Sequence, residues 1–397
     1  MSKLVVIGAG ASGIMAALKA AYKNEVILID GNDKCGKKIL VTGNGKCNYW
    51  NEDINIANYF TTEPIILEKI LAKNNEVLDY LHNVIGIYPK IKNGYFYPAS
   101  GTSQSIRELF AKEIERNKIK TFYNTRVLDI KKENKKFILV TNSGEIEADK
   151  VIIATGSKAS PKTGSDGLGY DFAKKFGHKI NPVLPALTSL KTNEKIKEWA
   201  GVRTDVKLSL YIANKLIKEE SGELQLTEDG LSGICIFNLS SLATKALYNK
   251  EKVIIKINFV PYINNFYEFF NERNLKIKNR TIEELLESIL NYKLIAIILK
   301  RRNIPRNTYW NKLNDAEKKL LCKDIESFEL NIADYNSFDK AQVCTGGIPL
   351  SEVKNNLESI YIDNLFFTGE LLDVDGKCGG FNLAFAFITG YIAGGNI

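Results

Sequence analysis

The apolar positions of the first thirty residues fall into two short runs, Leu4-Val5-Val6-Ile7 and Val26-Ile27-Leu28-Ile29, separated by an alanine-rich stretch. Unbroken apolar runs of that length predict strands buried on both faces of a parallel sheet, and the 14–21 stretch between them predicts the crossover helix. Between 103 and 116, Ile106, Leu109, Phe110 and Ile114 recur at helical spacing. A meander is expected next, with strands at 121–130, 136–141 and 145–148, and Asn142-Ser143-Gly144 supplies a hairpin turn between the last two. Another buried strand at 150–154 ends in Ala154-Thr155-Gly156.

From about Thr188 the texture changes. Short strands are expected at 206–217, 222–226, 234–237 and 253–259, followed by helices at 281–299 and 315–322. Glycine-rich character resumes near Gln342, and Leu365-Phe366-Phe367 runs into Thr368-Gly369-Glu370. Asp373-Val374-Asp375-Gly376 and Gly379-Gly380-Phe381-Asn382-Leu383 then lead into an apolar helix reaching Ala393. The expected class is α/β. One Rossmann-like domain is drawn from both ends of the chain, 1–187 and 342–397. Between them lies an insert, 188–341, β-rich over 188–260 and helical over 261–335.

The residues that join the first two strands carry the chemistry. Gly8-Ala9-Gly10-Ala11-Ser12-Gly13 has the spacing of a dinucleotide fingerprint, and Asp30 stands at the end of the second strand. Gly8 permits the tight turn, Gly10 lets backbone N–H groups approach a pyrophosphate, and Gly13 lets helix and strand pack closely. Phosphates would sit at the helix N-terminus, where unpaired N–H groups and the dipole favour negative charge. Asp30 would accept a ribose hydroxyl. The Gly369-Glu370 strand end and the helix start at Phe381 are a second place where N–H groups converge. The 164–169 segment has the wrong glycine order for a second fingerprint and reads as a loop onto a 170–176 helix. No separate nicotinamide-binding domain is therefore expected, and NADH or NADPH would dock transiently as a donor.

Bulk properties narrow the class. The chain has 397 residues, enough for two domains, with 45% hydrophobic and 25% charged residues. No apolar run nears the ~18 residues of a membrane span. The apolar start is broken by glycines and does not read as a signal peptide, so a cytoplasmic location is expected. The net charge is +8. Lys300-Arg301-Arg302 and Arg306 form a basic cluster beside Tyr309 and Trp310, read as cations at a helix C-terminus rather than a nucleic-acid site. A small-molecule substrate is the expected partner, and nucleic acid and membrane are not; no sequence feature sets an oligomeric state. Six cysteines lie scattered with no CxxC pair, and His82 and His178 are the only histidines. No metal site is expected. His178, just past an apparent helix end, reads as a helix-terminal residue.

Four segments together resemble the BaiN/YhiN-like family of bacterial NAD(P)/FAD-dependent oxidoreductases, the aminoacetone-oxidase-like flavoproteins. They are the 8–13 fingerprint; Gly36-Lys37-Lys38-Ile39-Leu40 with Thr42-Gly43-Asn44-Gly45-Lys46-Cys47-Asn48; Gly346-Gly347-Ile348; and Gly369-Glu370 through Asn382. The resemblance implies an FAD-binding two-dinucleotide-type fold with an inserted β-barrel and helical domain. It also implies that Asp30, Lys37, Lys38, the loop Gly43, Asn44, Gly45, Cys47 and Asn48, Val127, and the Gly380-Phe381-Asn382-Leu383 turn surround FAD. Lys38 and Lys46 stand where the family often has arginine, and Ser157 where a second glycine is frequent. Reduction of carbon–carbon double bonds is an activity proposed for some members. Asp373 could bind the flavin ribityl chain or cap a turn. Asp375, Cys47 and Cys378 also lie in the motif loops, and no one of the four is singled out as a catalytic group. The expected function is an FAD-dependent oxidoreductase reduced by NAD(P)H. The alternatives are a flavin-binding sensor or RNA-associated factor without turnover, and an NAD-dependent dehydrogenase.

Overall fold

The computed structural model describes residues 1–397, which form two compact units. The first unit is Met1–Ala186 with Phe338–Ile397, and the second is Leu187–Ser337.

The first unit is built on a five-stranded sheet in the order Leu365–Phe367, Lys150–Ile153, Lys3–Ile7, Glu25–Ile29, Lys120–Phe122. Every neighbouring pair is parallel. Leu4, Val5, Val6, Val151, Ile152 and Ile153 have no exposed surface, as strands covered on both faces require. Starting from Lys3–Ile7, the chain first fills the sheet on one side and later on the other. The strand order therefore reverses beside Lys3–Ile7, and open α/β sheets bind their ligands at such a switch point, outside the carboxyl ends of the strands. The last strand of the sheet comes from the C-terminal segment, Val151 pairing with Leu365.

Two helices pack against each other next to that edge, Ala11–Ala20 and Phe381–Gly395. They approach so closely that a Cβ on Gly390 would strike the Ser12 carbonyl, and one on Gly394 the Ala16 carbonyl. The helix Ser103–Arg116 forms as expected, with Ile106, Phe110 and Ile114 buried. The expected 121–130 strand is instead two strands. Asn124 takes φ = 52°, and the N–H groups of Asn124 and Thr125 bond the carbonyls of Asn32 and Asp30. This bend sends Lys120–Phe122 into the parallel sheet and Val127–Glu133 into the meander with Lys136–Thr141 and Gly144–Ala148.

The second unit holds a closed six-stranded barrel of Leu190–Thr192, Gly230–Ser232, Lys215–Leu226, Arg203–Ile212, Val253–Asn258 and Phe328–Tyr335. Four sequence expectations change here. The 206–217 strand is a hairpin, because Ala213 and Asn214 take φ of 48° and 65° and turn the chain. The 234–237 strand is the start of a helix, Ile234–Tyr248. Its β-branched opening mimics a strand, but Ile236, Leu239, Ala243 and Ala246 repeat at three- and four-residue steps and are buried. The barrel also takes its last strand, Phe328–Tyr335, from the stretch expected to be helical. The 281–299 helix is broken into Ile282–Leu286 and Tyr292–Arg301, with Asn291 capping the second through Lys293 N–H. No helix is long and apolar enough to cross a membrane.

Candidate active site

The carboxyl ends of Lys3–Ile7 and Lys150–Ile153 lie side by side, and Ala154 N–H donates to the Ile7 carbonyl at 2.8 Å. Gly8 and Gly13 have the structural tasks their spacing predicts. Gly8 turns at φ = 102°, and a Cβ there would strike the Ala154 carbonyl. A Cβ on Gly13 would strike the Gly8 carbonyl, so Gly13 is a packing residue behind the turn. Gly10 differs: nothing of the protein lies within 4 Å of where its Cβ would be. That open space faces a cleft at the carboxyl ends of the strands.

The cleft gathers residues from the whole first unit. Gly8, Gly10, Ala11 and Ser12 line it with Asp30, Lys37, Lys38 and Thr42; Ala154, Thr155 and Gly156 come from the neighbouring strand end. Glu370, Asn382 and Leu383 come from the C-terminal segment. Asp30 holds the turn as well as facing the cleft. One carboxylate oxygen accepts Ala9 N–H at 2.6 Å, and the other accepts Asn32 N–H at 2.7 Å and Asn32 Nδ2 at 2.9 Å. Lys38 Nζ donates to Glu370 Oε2 at 2.8 Å, and Ser157 Oγ donates to the same oxygen at 3.3 Å.

Two helices begin at the cleft. The first intrahelical bond of Ala11–Ala20 is Ile14 N–H to the Gly10 carbonyl, and that of Phe381–Gly395 is Ala384 N–H to the Gly380 carbonyl. The N–H groups of Ala11, Ser12 and Gly13, and of Phe381, Asn382 and Leu383, therefore have no intrahelical acceptor. Both dipoles present their positive ends to the cleft. The second start is fixed by Asn382, whose side chain accepts Gly376 N–H and donates to the Gly376 carbonyl, both at 2.8 Å. An open space at Gly10 and two sets of free N–H donors suit a dinucleotide with its phosphates at the helix ends.

Other expected site residues lie outside the cleft lining. Gly43, Asn44, Gly45 and Cys47 form a tight left-handed loop with φ between 53° and 80°. Asn48 follows it and packs against Gly380 at the helix start. Val127 is buried in the meander, opposite Thr141. Gly369 packs on Ser12, and the Phe381 ring packs edge-on against Tyr59. Asp373 is buried and accepts Asn181 Nδ2 at 2.6 Å. Burial pushes the Cys47 thiol up to about 11, which keeps it a protonated packing residue at neutral pH. Burial likewise pushes Cys344, beside Ser157, up to about 11.

Several cleft residues carried no signal of their own in the sequence. Thr163, Gly164 and Ser165 form one wall, and Asn32, Gln342, Val343 and Ala386 complete others. The 164–169 glycines hinted at a loop, and the helix that follows is Leu168–Lys175. Only the fold shows that Gly164 packs on Asn32 and that Ser165 packs on Gly156.

The basic cluster is neutralised in place. Lys300 pairs with Glu198, Arg302 makes a two-pronged bond to Asp324, and Arg306 pairs with Glu283. Arg301 lies over the Phe328 ring, 4.2 Å from its centre. His178 is a buried helix-terminal residue bonded to Glu352 and Ser359.

Sheet order, fingerprint and the paired helix starts define a dinucleotide-binding domain, and its family and relatives make the protein an FAD-dependent oxidoreductase. The chain belongs to the family described as the HI0933-like protein Rossmann domain, which matches residues 2–396. It is 38% identical over 403 residues to a 3-dehydro-bile acid delta(4,6)-reductase of Clostridium scindens, covering 99% of this chain and 98% of that protein. It is 26% identical over 395 residues to the ribosomal RNA dihydrouridine synthase of Escherichia coli, covering 98% and 96%. Among solved structures, the 3-ketosteroid-delta4-(5alpha)-dehydrogenase of Rhodococcus jostii superposes with a TM-score of 0.53 at 14% identity, over 99% of this chain and 96% of that one. That last likeness is one of fold.

Proposed function

We propose that the protein reduces a carbon–carbon double bond conjugated to a carbonyl, using NADH or NADPH as the electron donor. The observation that carries the reading is the convergence of two helix N-termini on one cleft at the sheet's switch point. The relatives supply support for the acceptor class. A 3-oxo steroid with double bonds at 4 and 6 and the C5–C6 bond of a uracil ring are both carbon–carbon double bonds polarised by a carbonyl. Bound FAD supplies hydride transfer between donor and acceptor.

The chain's own residues bind and polarise. N–H groups of Ala11, Ser12 and Gly13 would hold the pyrophosphate, and Asp30 the adenosine ribose. The Phe381–Gly395 N-terminus would favour negative charge near the pyrimidine end of the flavin, which raises the ease of reduction. Lys37 and Lys38 add positive charge on the phosphate side of the cleft. Gly43, Asn44, Gly45, Cys47 and Asn48 shape the rim next to that helix start. In balance, NAD(P)H gives a hydride, solvent gives a proton, and the double bond becomes a single bond.

The test is anaerobic. The holoprotein is reduced with NADH or NADPH, then offered conjugated enones, conjugated dienones and quinones while its visible absorption is followed. Reduction by a nicotinamide and reoxidation by an enone support the reading. Reoxidation by quinones alone would move it to another acceptor class, and no reduction by either nicotinamide would favour a sensor.

A further inference from the structure

The segment between the strand Lys150–Ile153 and the helix Leu168–Lys175 reaches across the sheet and returns. In the order Lys150–Ile153, Lys3–Ile7, Glu25–Ile29, the strand that bears the 8–13 turn lies between the other two. Both ends of the segment stay on the first strand's side. Ser160 N–H donates to the Phe338 carbonyl at 2.9 Å and its Oγ to the Ala341 carbonyl at 3.1 Å, while Gly169 packs on Thr155. The tip touches what lies beside the third strand. Asn32 Nδ2 donates to the Thr163 carbonyl at 3.1 Å, and the Arg126 guanidinium pairs with the Asp166 carboxylate. The tip therefore crosses the carboxyl end of Lys3–Ile7, where Thr163, Gly164 and Ser165 wall the cleft.

The crossing piece is a compact turn. Thr163 donates to the Ser160 carbonyl through its N–H at 2.9 Å and its Oγ1 at 2.8 Å, and Gly164 N–H donates to the Pro161 carbonyl at 2.9 Å. Ser160 and Gly167, at its two ends, take φ of 54° and 85°. Such left-handed positions are where the chain direction turns sharply. The tip is held more lightly than the ends. It rests on the Asn32 amide, which also donates to Asp30 Oδ1 at 2.9 Å, and on an ion pair whose side chains are 56% and 39% exposed. Neither Arg126 nor Asp166 lines the cleft.

We infer that residues 160–167 are a strap that closes over the adenosine half of the bound dinucleotide, and that the Arg126–Asp166 pair is its latch. That the adenosine lies there rests on the placement of FAD proposed above, with phosphates at Ala11–Gly13 and ribose at Asp30. A dinucleotide in that position lies beneath the tip and leaves only after the tip has lifted. Ser160 and Gly167 are the hinges, since a few terminal loop positions absorb the change in such motions. The latch touches neither cofactor nor cleft, so it is made equally with and without FAD. A contact of that kind sets how often the strap opens and adds nothing to the difference between bound and free states. Entry and exit both scale with the open fraction, and affinity does not.

The test follows FAD entering and leaving the full chain by flavin fluorescence. Arg126→Gln should raise the association and dissociation rates together, each about threefold, the size expected of losing an exposed ion pair. The ratio of the two rates should stay at the wild-type value. Arg126→Lys, which keeps the charge, should exchange FAD nearly as slowly as wild type. Added salt should narrow the gap between wild type and Arg126→Gln, because it screens the pair. Unchanged rates in Arg126→Gln would overturn the inference. So would faster dissociation with unchanged association, since Arg126 would then be holding the cofactor itself. Gly10→Val leaves the strap intact and reports separately on the placement: a variant that keeps its flavin overturns the position assigned to FAD, whatever the latch does.

Discussion

Lys38 and Glu370, 332 positions apart in the sequence, meet across the cleft at 2.8 Å. Their side chains are 23% and 17% exposed. The contact ties the segment that follows the fingerprint to the segment that closes the domain, so each half of the site is held by the other.

Lys38→Met should therefore have two effects. In the cofactor-free protein, a double-mutant cycle with Glu370→Gln should give a coupling of about 1 kcal/mol in urea unfolding, the scale of a partly exposed pair. The lysine variant alone should also weaken FAD binding several-fold, because on the proposed placement of FAD it removes a positive charge from the phosphate side. A cycle that closes to zero would show that the two side chains do not act together.

Asp30→Ala removes the carboxylate that both braces the turn through Ala9 and Asn32 and faces the cleft. Loss of roughly 1–3 kcal/mol in FAD affinity is expected if its ribose bond is charge-assisted. Isothermal titration of the cofactor-free variant checks this. Affinity equal to wild type would place the ribose elsewhere.

Gly390→Val should destabilise the first unit, because any Cβ there meets the Ser12 carbonyl of the packed helix. Overpacking of this kind costs roughly 1–3 kcal/mol. The urea midpoint should fall accordingly, with a lowered FAD content because the fingerprint helix is displaced. An unchanged midpoint would mean that the two helices can move apart freely.

His178 gives a pH dependence with a definite sign. Ser359 Oγ accepts the N–H groups of Tyr361 and Ile362, so its hydroxyl proton goes to His178 Nε2, and the Nδ1 proton faces Glu352. The ring is thus neutral in the fold. Burial holds its pKa below the ordinary histidine value, against the opposing pull of Glu352. A depressed folded value means its contribution to stability is complete above about pH 6.5 and is lost as pH falls through the lower, folded value. Between pH 7 and 5 the wild type should lose more stability than His178→Asn. Burial depresses His82 too, and that contribution cancels in the comparison. Equal losses in the two proteins would contradict the neutral assignment.

How far the site could be read in advance depended on whether its parts were local. Gly8, Gly10, Gly13 and Asp30 act within one βαβ unit, so spacing alone exposes their tasks. Glu370 was legible because a strand end followed by a helix start is itself a local pattern, and Lys38 through the family resemblance, but their pairing was not. Ser165 lines the cleft only because a distant loop folds onto it, and no local pattern marks it. The Ile234–Tyr248 helix was hidden behind a β-branched opening, whereas its later three- and four-residue repeat was the truer signal. The basic stretch 300–306 stood out in the sequence and is paired off in the fold.

The central claim is that FAD lies against the 8–13 turn, and Gly10→Val tests it most directly. Gly10 has φ = −82° and ψ = −170°, which valine adopts readily, and no protein atom lies where its Cβ would be. The side chain should therefore be accepted by the fold and occupy the space left for the pyrophosphate. The measurement is the FAD released on denaturation per mole of folded chain, read from its visible absorption. The account predicts stoichiometric FAD from wild type and a folded, colourless variant. A folded Gly10→Val protein with full FAD occupancy would contradict it.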